Sequence, residues 1–391
     1  MDATAPPIDS SSAIANKKGL WDFQGLLRIR ASASSGPLKP AYDAVIALAD
    51  SALTAGPFSV MNKTTTPPSG DKHDYMGMAR YYWPDPANPT GSYISKDGES
   101  NPDVDSNKYD YHSMFTMSGS VNMLGLAYFL TRDEKYATKA HTLLQTWYID
   151  AATKMNPNLN YAQSIPQSTT TGRKEGIIDT LQMAYMIDGL EMLRDSPSFT
   201  ASDFTAVTAW FTSFVDWLRT STFGKGEEAA TNNHGSWYDV QTMRYAVFLG
   251  NTTLATQLAN LAKTRRIGAQ INPDGSEPQE IARTNGLYYS EYDLTANFDI
   301  AHLAAIVGVD LFTYQTADGR SVRKALDYLT PYADPTKAWP DPEIVKDDRS
   351  LLIPLLRRAA AVYNAPAYET TLQMYYSAIL PANITQIVYP K

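Results

Sequence analysis

The 391-residue chain contains no cysteine, which excludes disulfides and cysteine-ligated metals and leaves the redox compartment unreadable. Histidine is scarce. The five residues His73, His112, His141, His234 and His302 are scattered, and none forms the His-x-x-x-His pair of a helical zinc site. No apolar run is long enough to cross a bilayer, so no membrane association is expected. No Gly-rich loop precedes a helix in the form that cradles phosphate. Cations are in deficit: 33 Lys and Arg against 41 Asp and Glu give a net charge of −8. Neutralising a phosphate backbone takes clustered cations, so no nucleic-acid partner is expected. An anionic ligand stays possible, because it needs only a local basic cleft. No metal and no cofactor are implied.

Strand-like alternation is scarce as well. Helical spacing is not: Tyr42, Val45, Ile46, Leu48 and Ala49 place a helix over 39–53. Further helices are expected over 113–130, from a Thr131-x-x-Glu134 capping box to about Asp150, over 176–194, and from Thr200–Asp203 to near Thr222. Others are expected over 237–249, 253–266, 293–312, 319–331, 349–362 and 366–379, with Thr385–Tyr389 free to pair as a strand. Ala127-Tyr128-Phe129-Leu130, a polar turn and an Ala-rich helix are echoed by Ala246-Val247-Phe248-Leu249, a Gly-Asn turn and another helix. Antiparallel helix pairs joined by short turns bury one face against each other and another against the next pair. The expected fold is therefore all-α, a ring of α-hairpins. Residues 1–38 read as a tail with a short helix. Residues 39–391 read as one domain, since no Pro/Gly/Ser linker divides them.

Long polar loops at 56–110, 153–175, 223–236 and 268–290 are rich in Tyr, Asn, Arg or His. They converge if alternate helix ends share one face of the ring. Thr231-Asn232-Asn233-His234-Gly235-Ser236-Trp237-Tyr238-Asp239 packs amides, an imidazole, an indole and a phenol into nine residues at a helix mouth. Groups this dense suit a sugar site, although Asn232 and Asn233 equally suit a helix cap. Aromatic faces stack on sugar rings, which brings in Tyr81-Tyr82-Trp83-Pro84-Asp85-Pro86. His73 and Asp74 are read as pinning the loop by bonding each other. Tyr111 and His112 open a helix that Asp110 or Ser113 can cap. Asn156–Gln163 forms a second polar loop, and Arg173, near a helix start, can clamp a carboxylate or pair with Glu175. In the last segment, Arg283 and Tyr289 are brought together by a loop at 284–286. Glu277 and Glu280 keep open a glycoside hydrolase with two carboxylates, and the aromatics alone would serve a non-catalytic binder of acidic polysaccharide.

The chain resembles the alginate lyase superfamily of polysaccharide lyases, which are helical toroids. The resemblance runs from His73-Asp74-Tyr75 and Tyr82-Trp83-Pro84-Asp85-Pro86, through Asn156-Pro157-Asn158 and Gly176–Thr180, to Asn233-His234 and Arg283-Thr284 with Tyr289-Ser290. Its most specific part is the Asn-His pair followed some fifty residues later by Arg and then Tyr. It implies an (α/α) toroid, an incomplete barrel of antiparallel hairpins with long loops forming a cleft. It also implies Asn233, His234, Arg283 and Tyr289 as the catalytic set. The Arg-to-Tyr spacing is one residue shorter than in the classical bacterial enzymes, so Tyr288 remains an alternative phenol and the branch is a divergent one. Gln163, Arg173, Trp83, Tyr111, His112, Trp237, Tyr238 and Tyr288 are the candidate substrate contacts.

The reaction implied is β-elimination on a 4-linked polyuronate, alginate or glucuronan, leaving a 4,5-unsaturated end. In β-D-mannuronate and β-D-glucuronate H5 and O4 lie on the same side, so one phenol can take the proton and return it. In α-L-guluronate they lie on opposite sides, and His234 would act as a separate base. A monomer acting on the polymer is expected. Three N-x-Ser/Thr sequons, at Asn62, Asn251 and Asn383, suit a secreted eukaryotic glycoprotein. Met1–Ser12 is polar, lacks an apolar signal core and reads as a mature end.

Overall fold

The computed structural model describes residues 16–391. The part of the expected N-terminal tail before residue 16 lies outside the described residues. The helices are α1 (Phe23–Ile29), α2 (Lys39–Ala52), α3 (Tyr111–Thr131), α4 (Glu134–Leu144), α5 (Leu181–Met192), α6 (Ala201–Thr220), α7 (Thr222–Glu228) and α8 (Asn233–Phe248). They continue with α9 (Thr252–Ala262), α10 (Gly268–Gln270), α11 (Pro278–Ile281), α12 (Gly286–Ile306), α13 (Val322–Leu329), α14 (Leu352–Val362), α15 (Pro366–Tyr376) and α16 (Thr385–Val388). Short strands stitch the long loops together. β1 (Met76–Met78) pairs in parallel with β4 (Tyr161–Ser164), and β2 (Tyr82–Trp83) pairs antiparallel with β3 (Ile94–Ser95).

Burial sorts the helices into an inner and an outer set. α3 packs on α5, α5 on α8 and α8 on α12. α8 buries every residue from Gly235 to Ala246, and α3 and α12 are buried nearly all round, as helices inside a core must be. By contrast, α4 buries Tyr136, Ala137, Ala140, Leu143 and Leu144, and α9 buries Ala255, Leu258, Ala259 and Ala262. Those are single stripes at helical spacing, the mark of a helix with one wet face. α4 packs back along α3, and α9 along α8 and α12. The result is an all-α (α/α) toroid in which inner and outer helices alternate along the chain. At its far end α16 packs on α1 and α2. The inner helices come close because glycine allows it. A Cβ on Gly125 of α3 would meet the carbonyl oxygen of Gly189 of α5 at 2.1 Å.

Several expected boundaries move. Thr131 does not cap α4. It lies in the last turn of α3, where its hydroxyl donates to the Ala127 carbonyl, and the α4 cap is Asp133, which accepts from the Lys135 N–H. The Thr200–Asp203 box does form, the two side chains exchanging bonds with each other's backbone N–H. The loop expected over 223–236 contains α7, and α8 starts four residues early, at Asn233. α12 starts at Gly286, so Tyr288 and Tyr289 sit on a helix rather than in a loop. Thr385–Val388 is the short helix α16, not a strand, because Asn383 accepts from the Thr385 N–H and turns the chain.

Candidate active site

The first turns of the four inner helices face one cleft of about 850 Å³. Tyr111 and Phe115 come from α3, Leu181 from α5, Asn233 and His234 from α8, and Tyr288, Tyr289 and Tyr292 from α12. Four helix N-termini therefore share one mouth, and helix N-termini favour negative charge. Arg80, Arg173, Lys174, Arg283 and Lys346 line the same cleft, with Glu175, Asp179 and Asp347 as the acidic members. A chain of net negative charge thus presents a local excess of cations.

The resemblance-derived set is brought together here. Asn233 is 1 % exposed. Its backbone N–H donates to Glu280 Oε1 at 2.7 Å and its side-chain Nδ2 donates to Glu280 Oε2 at 2.7 Å. His234 Nδ1 lies 2.6 Å from Oε1 of the buried Glu227. A carboxylate only accepts, so Nδ1 carries the proton of that bond and Nε2 is left for the cleft. The Arg283 guanidinium lies over the Tyr289 ring, 3.7 Å from its centroid, and grips Asp97 through Nε at 3.0 Å and Nη2 at 2.5 Å. The hydroxyl of Tyr289 is 2.5 Å from that of Tyr81.

Charge states follow from these surroundings. Burial pushes the Tyr289 phenol well above its ordinary value, Tyr81 adds to the rise and Arg283 opposes it. Hydrogen bonds from Arg283 hold the Asp97 carboxyl below the usual carboxylate range. Burial works against the Arg283 cation, but the bonds to Asp97 together with the charges of Asp97, Tyr289 and Tyr81 outweigh it and Arg283 stays charged. Asp179, buried and bonded by Gln163 Nε2 at 2.8 Å, is raised to about 6 by burial, against the pull of Gln163, Arg80, His234 and Arg173.

The other expected contacts divide. Gln163, Arg173, Tyr111 and Tyr288 line the cleft. Arg173 pairs with Glu175 at 3.1 Å and lies over the Tyr82 ring. Trp83 does not line it. Neighbours on a strand point to opposite faces; Tyr82 takes the cleft side, and the Trp83 indole donates to the Glu99 carbonyl at 2.8 Å. His112 follows Tyr111 on α3 and is turned to solvent. Trp237 and Tyr238 are core residues, 2 % and 0 % exposed, because α8 is packed all round beyond its first turn. The Trp237 ring packs 4.8 Å from Tyr292, and the Tyr238 hydroxyl donates to the Leu218 carbonyl. Asn232 precedes α8 but makes no side-chain cap bond. His73 and Asp74 do not bond each other; His73 Nδ1 donates to the Lys154 carbonyl, and Asp74 accepts from Ser69, Asn156 and Asn158. Asp110 leaves α3 uncapped and serves Lys63 and the Met76 N–H instead.

The groups that hold the site carry little signal in the sequence. Tyr81 belongs to the aromatic run 81–86, and nothing in that run sets it apart from Trp83. Asp97 and Glu227 carry no local signal, since each meets its partner only through the fold. Glu277 and Glu280, read as a possible hydrolytic pair, are 3 % and 2 % exposed behind Asn233 and do not line the cleft, so they cannot flank a glycosidic bond. Among the described residues no cluster of side chains is arranged to hold a metal ion.

Comparison with known proteins bears on this arrangement. Residues 59–339 match the model of the family described as alginate lyase. The fold is similar to the crystal structure of an alginate lyase from Bacteroides ovatus, with 38% identity, a TM-score of 0.91, and coverage of 95% of this chain and 99% of that one. It is also similar to alginate lyase A1-III from Sphingomonas species A1, with 18% identity, a TM-score of 0.55 and coverage of 93% and 99%. A variant of A1-III complexed with a tetrasaccharide gives 18% identity, a TM-score of 0.56 and coverage of 93% and 98%. No curated protein matches the chain by sequence.

Proposed function

The chain belongs to the alginate lyase family of polysaccharide lyases, and from that premise we propose that its cleft cleaves alginate at β-D-mannuronate by syn β-elimination, with Tyr289 as both base and acid. The observation that carries the reading is the meeting of Asn233, His234, Arg283 and Tyr289, far apart along the chain, in one cation-rich cleft. Glucuronan is the runner-up substrate, since glucuronate differs from mannuronate only at C2 and keeps the same relation of H5 to O4.

The reacting carbon sits beside a carboxylate, which resists further negative charge. Asn233, through the amide N–H that Glu280 does not take, and His234, through Nε2 when protonated, donate to that carboxylate and to the enolate that develops. Arg283 plays a different part from a carboxylate clamp. Its fork is engaged by Asp97 and its face lies on the Tyr289 ring, so its charge acts on the phenol. A free phenol titrates near ~10, and burial raises Tyr289 further; the phenolate is therefore the minor form. Arg283 on its ring and Tyr81 at its oxygen are the groups placed to stabilise it. The phenolate takes H5, the electron pair passes into the enolate and expels O4, and the new phenol returns its proton to O4. The phenolate is then restored and the product carries a C4–C5 double bond.

The test is incubation with polymannuronate, polyguluronate and glucuronan while following near-ultraviolet absorbance. Polymannuronate should give the fastest rise. A saturated product, or a faster rise with polyguluronate, contradicts the reading. We also propose that the protein acts outside the cell, where the polymer is, and carries glycans. The sequon residues Asn62 and Asn251 are exposed and Asn383 is half-buried, so the first two are the better acceptors.

A further inference from the structure

We propose that Glu280 is a positioning residue for the elimination, because it fixes which edge of the Asn233 amide is offered to the substrate carboxylate. This rests on the role given above to Asn233. Glu280 lies on α11, 47 positions from Asn233, and its two oxygens take the backbone N–H and the side-chain N–H of that residue, each at 2.7 Å. Glu280 is 2 % exposed and does not line the cleft, so it reaches the substrate only through Asn233.

An asparagine amide carries two N–H donors on one side and an acceptor oxygen on the other, in nearly the same shape. Nothing steric stops it from turning over. An ionised carboxylate accepts only, and it accepts more strongly than a neutral group. With Glu280 ionised, Nδ2 must turn toward it, and the second N–H on the same nitrogen is left for the sugar carboxylate. Turned over, the amide would present its oxygen to a negative group. The backbone bond adds a second constraint, since it ties the first residue of α8 to the same carboxylate.

The groups facing Glu280 are Asn233 from α8, Glu277 from the start of α11, Asp293 from α12, and Arg283 beyond α11. Asp293 is in turn bonded by Asn297 Nδ2 at 3.0 Å and faces Ser236 and Arg266. Burial raises the Glu280 carboxyl above the usual carboxylate range, Asp293 adds to the rise, and Asn233 and Arg283 oppose it. A protonated Glu280 can no longer accept both bonds from Asn233. The productive form is therefore the ionised one, and protonation of Glu280 adds a second loss of turnover on the acid side to the one imposed by the Tyr289 phenol.

The experiment measures kcat, KM and their pH dependence on polymannuronate for the wild type, Glu280→Gln, Glu280→Asp, Asn233→Ala and the double variant Glu280→Gln/Asn233→Ala, with thermal unfolding of each. Glu280→Gln keeps the shape but puts a donor against Asn233 Nδ2. Its kcat should fall about 10- to 100-fold, below the ~10²–10³ that losing a whole stabilising donor costs, while KM changes less than about threefold, and the extra steepness that Glu280 adds to the acid limb should disappear, leaving the fall set by the Tyr289 phenol. The double variant should be no slower than Asn233→Ala, since the two act as a unit. Glu280→Asp keeps an acceptor-only group and should retain more turnover than Glu280→Gln, even where both are less stable. An inactive Asn233→Ala beside a Glu280→Gln enzyme of wild-type kcat and unchanged acid limb overturns the positioning role alone. Glu280→Asp no faster than Glu280→Gln, or losses that track unfolding temperature, also overturn it. A fully active Asn233→Ala instead removes the catalytic reading beneath it.

Discussion

In the proposed mechanism Arg283 and Tyr289 are the chemical centre, and what joins them is a planar cation over a phenol, held by a carboxylate. Only arginine does both. Its fork matches Asp97 while its face covers the ring; a lysine ammonium is a point charge with neither property. Arg283→Lys should therefore keep the charge and still lose about 100-fold or more in kcat, read as the initial rise in near-ultraviolet absorbance. A loss under threefold would show that charge alone suffices. Tyr289 was legible in the sequence only through the resemblance to a family, because it stands six positions from Arg283 and nothing local says that they meet. The misplacement of Trp83, Trp237 and Tyr238 has one physical cause. Aromatics suit a sugar site and a core equally well, and which one they reach depends on strand side and helix turn, the finest details of register. Trp237 and Tyr238 sit one turn too deep in α8; Trp83 sits one residue off the cleft side of β2.

The elements that close the cleft come from well-separated parts of the chain. Residues 343–347 run beside the start of α12: the Ile344 N–H donates to the Thr284 carbonyl at 3.0 Å and the Val345 N–H to Asn285 Oδ1 at 3.0 Å. This strap lies beyond the residues that match the family model, and it adds Val345, Lys346 and Asp347 to the lining. Arg173, Lys174 and Arg283 each have a carboxylate within 4.0 Å; among the described residues Arg80 and Lys346 have none, and Arg80 lies over the Tyr111 ring. An uncommitted cation at the mouth serves a flanking sugar carboxylate better than the scissile one. Lys346→Ala should raise KM for polymannuronate about three- to tenfold at low salt with kcat nearly kept, since it removes binding shared by ground and transition states. An unchanged KM would place Lys346 outside the substrate path. Helix existence was readable from periodicity, but helix starts were not. α8 and α12 begin inside stretches of Asn, His, Gly and Tyr that read as loop, because these residue types in the first turns carry no clear apolar periodicity.

In the molecule as a whole, alternation of inner and outer helices puts the inner N-termini at one mouth, and the loops before them build the site. The echo between Ala127–Leu130 and Ala246–Leu249 foreshadows this. Both segments end inner helices, α3 and α8, and both lead by a short turn into an outer helix, α4 and α9. Ring architecture was thus legible from repetition, whereas the supports Glu227, Glu280 and Asp97 were not, since a carboxylate that braces a distant residue looks in sequence like any other. The same architecture explains how a chain of charge −8 can receive a polyanion: the helix ends and five cations gather at the cleft, where the acidic members are three and one of them, Glu175, is paired with Arg173. The most direct measurement compares Tyr289→Phe with Tyr288→Phe on polymannuronate. Tyr288 is 40 % exposed and stacks on Tyr292 at the cleft rim, while Tyr289 holds Tyr81 and lies under Arg283. Tyr289→Phe should bind the polymer and form no unsaturated product, and Tyr288→Phe should turn over with a raised KM; turnover by Tyr289→Phe near that of the wild type would contradict the assignment.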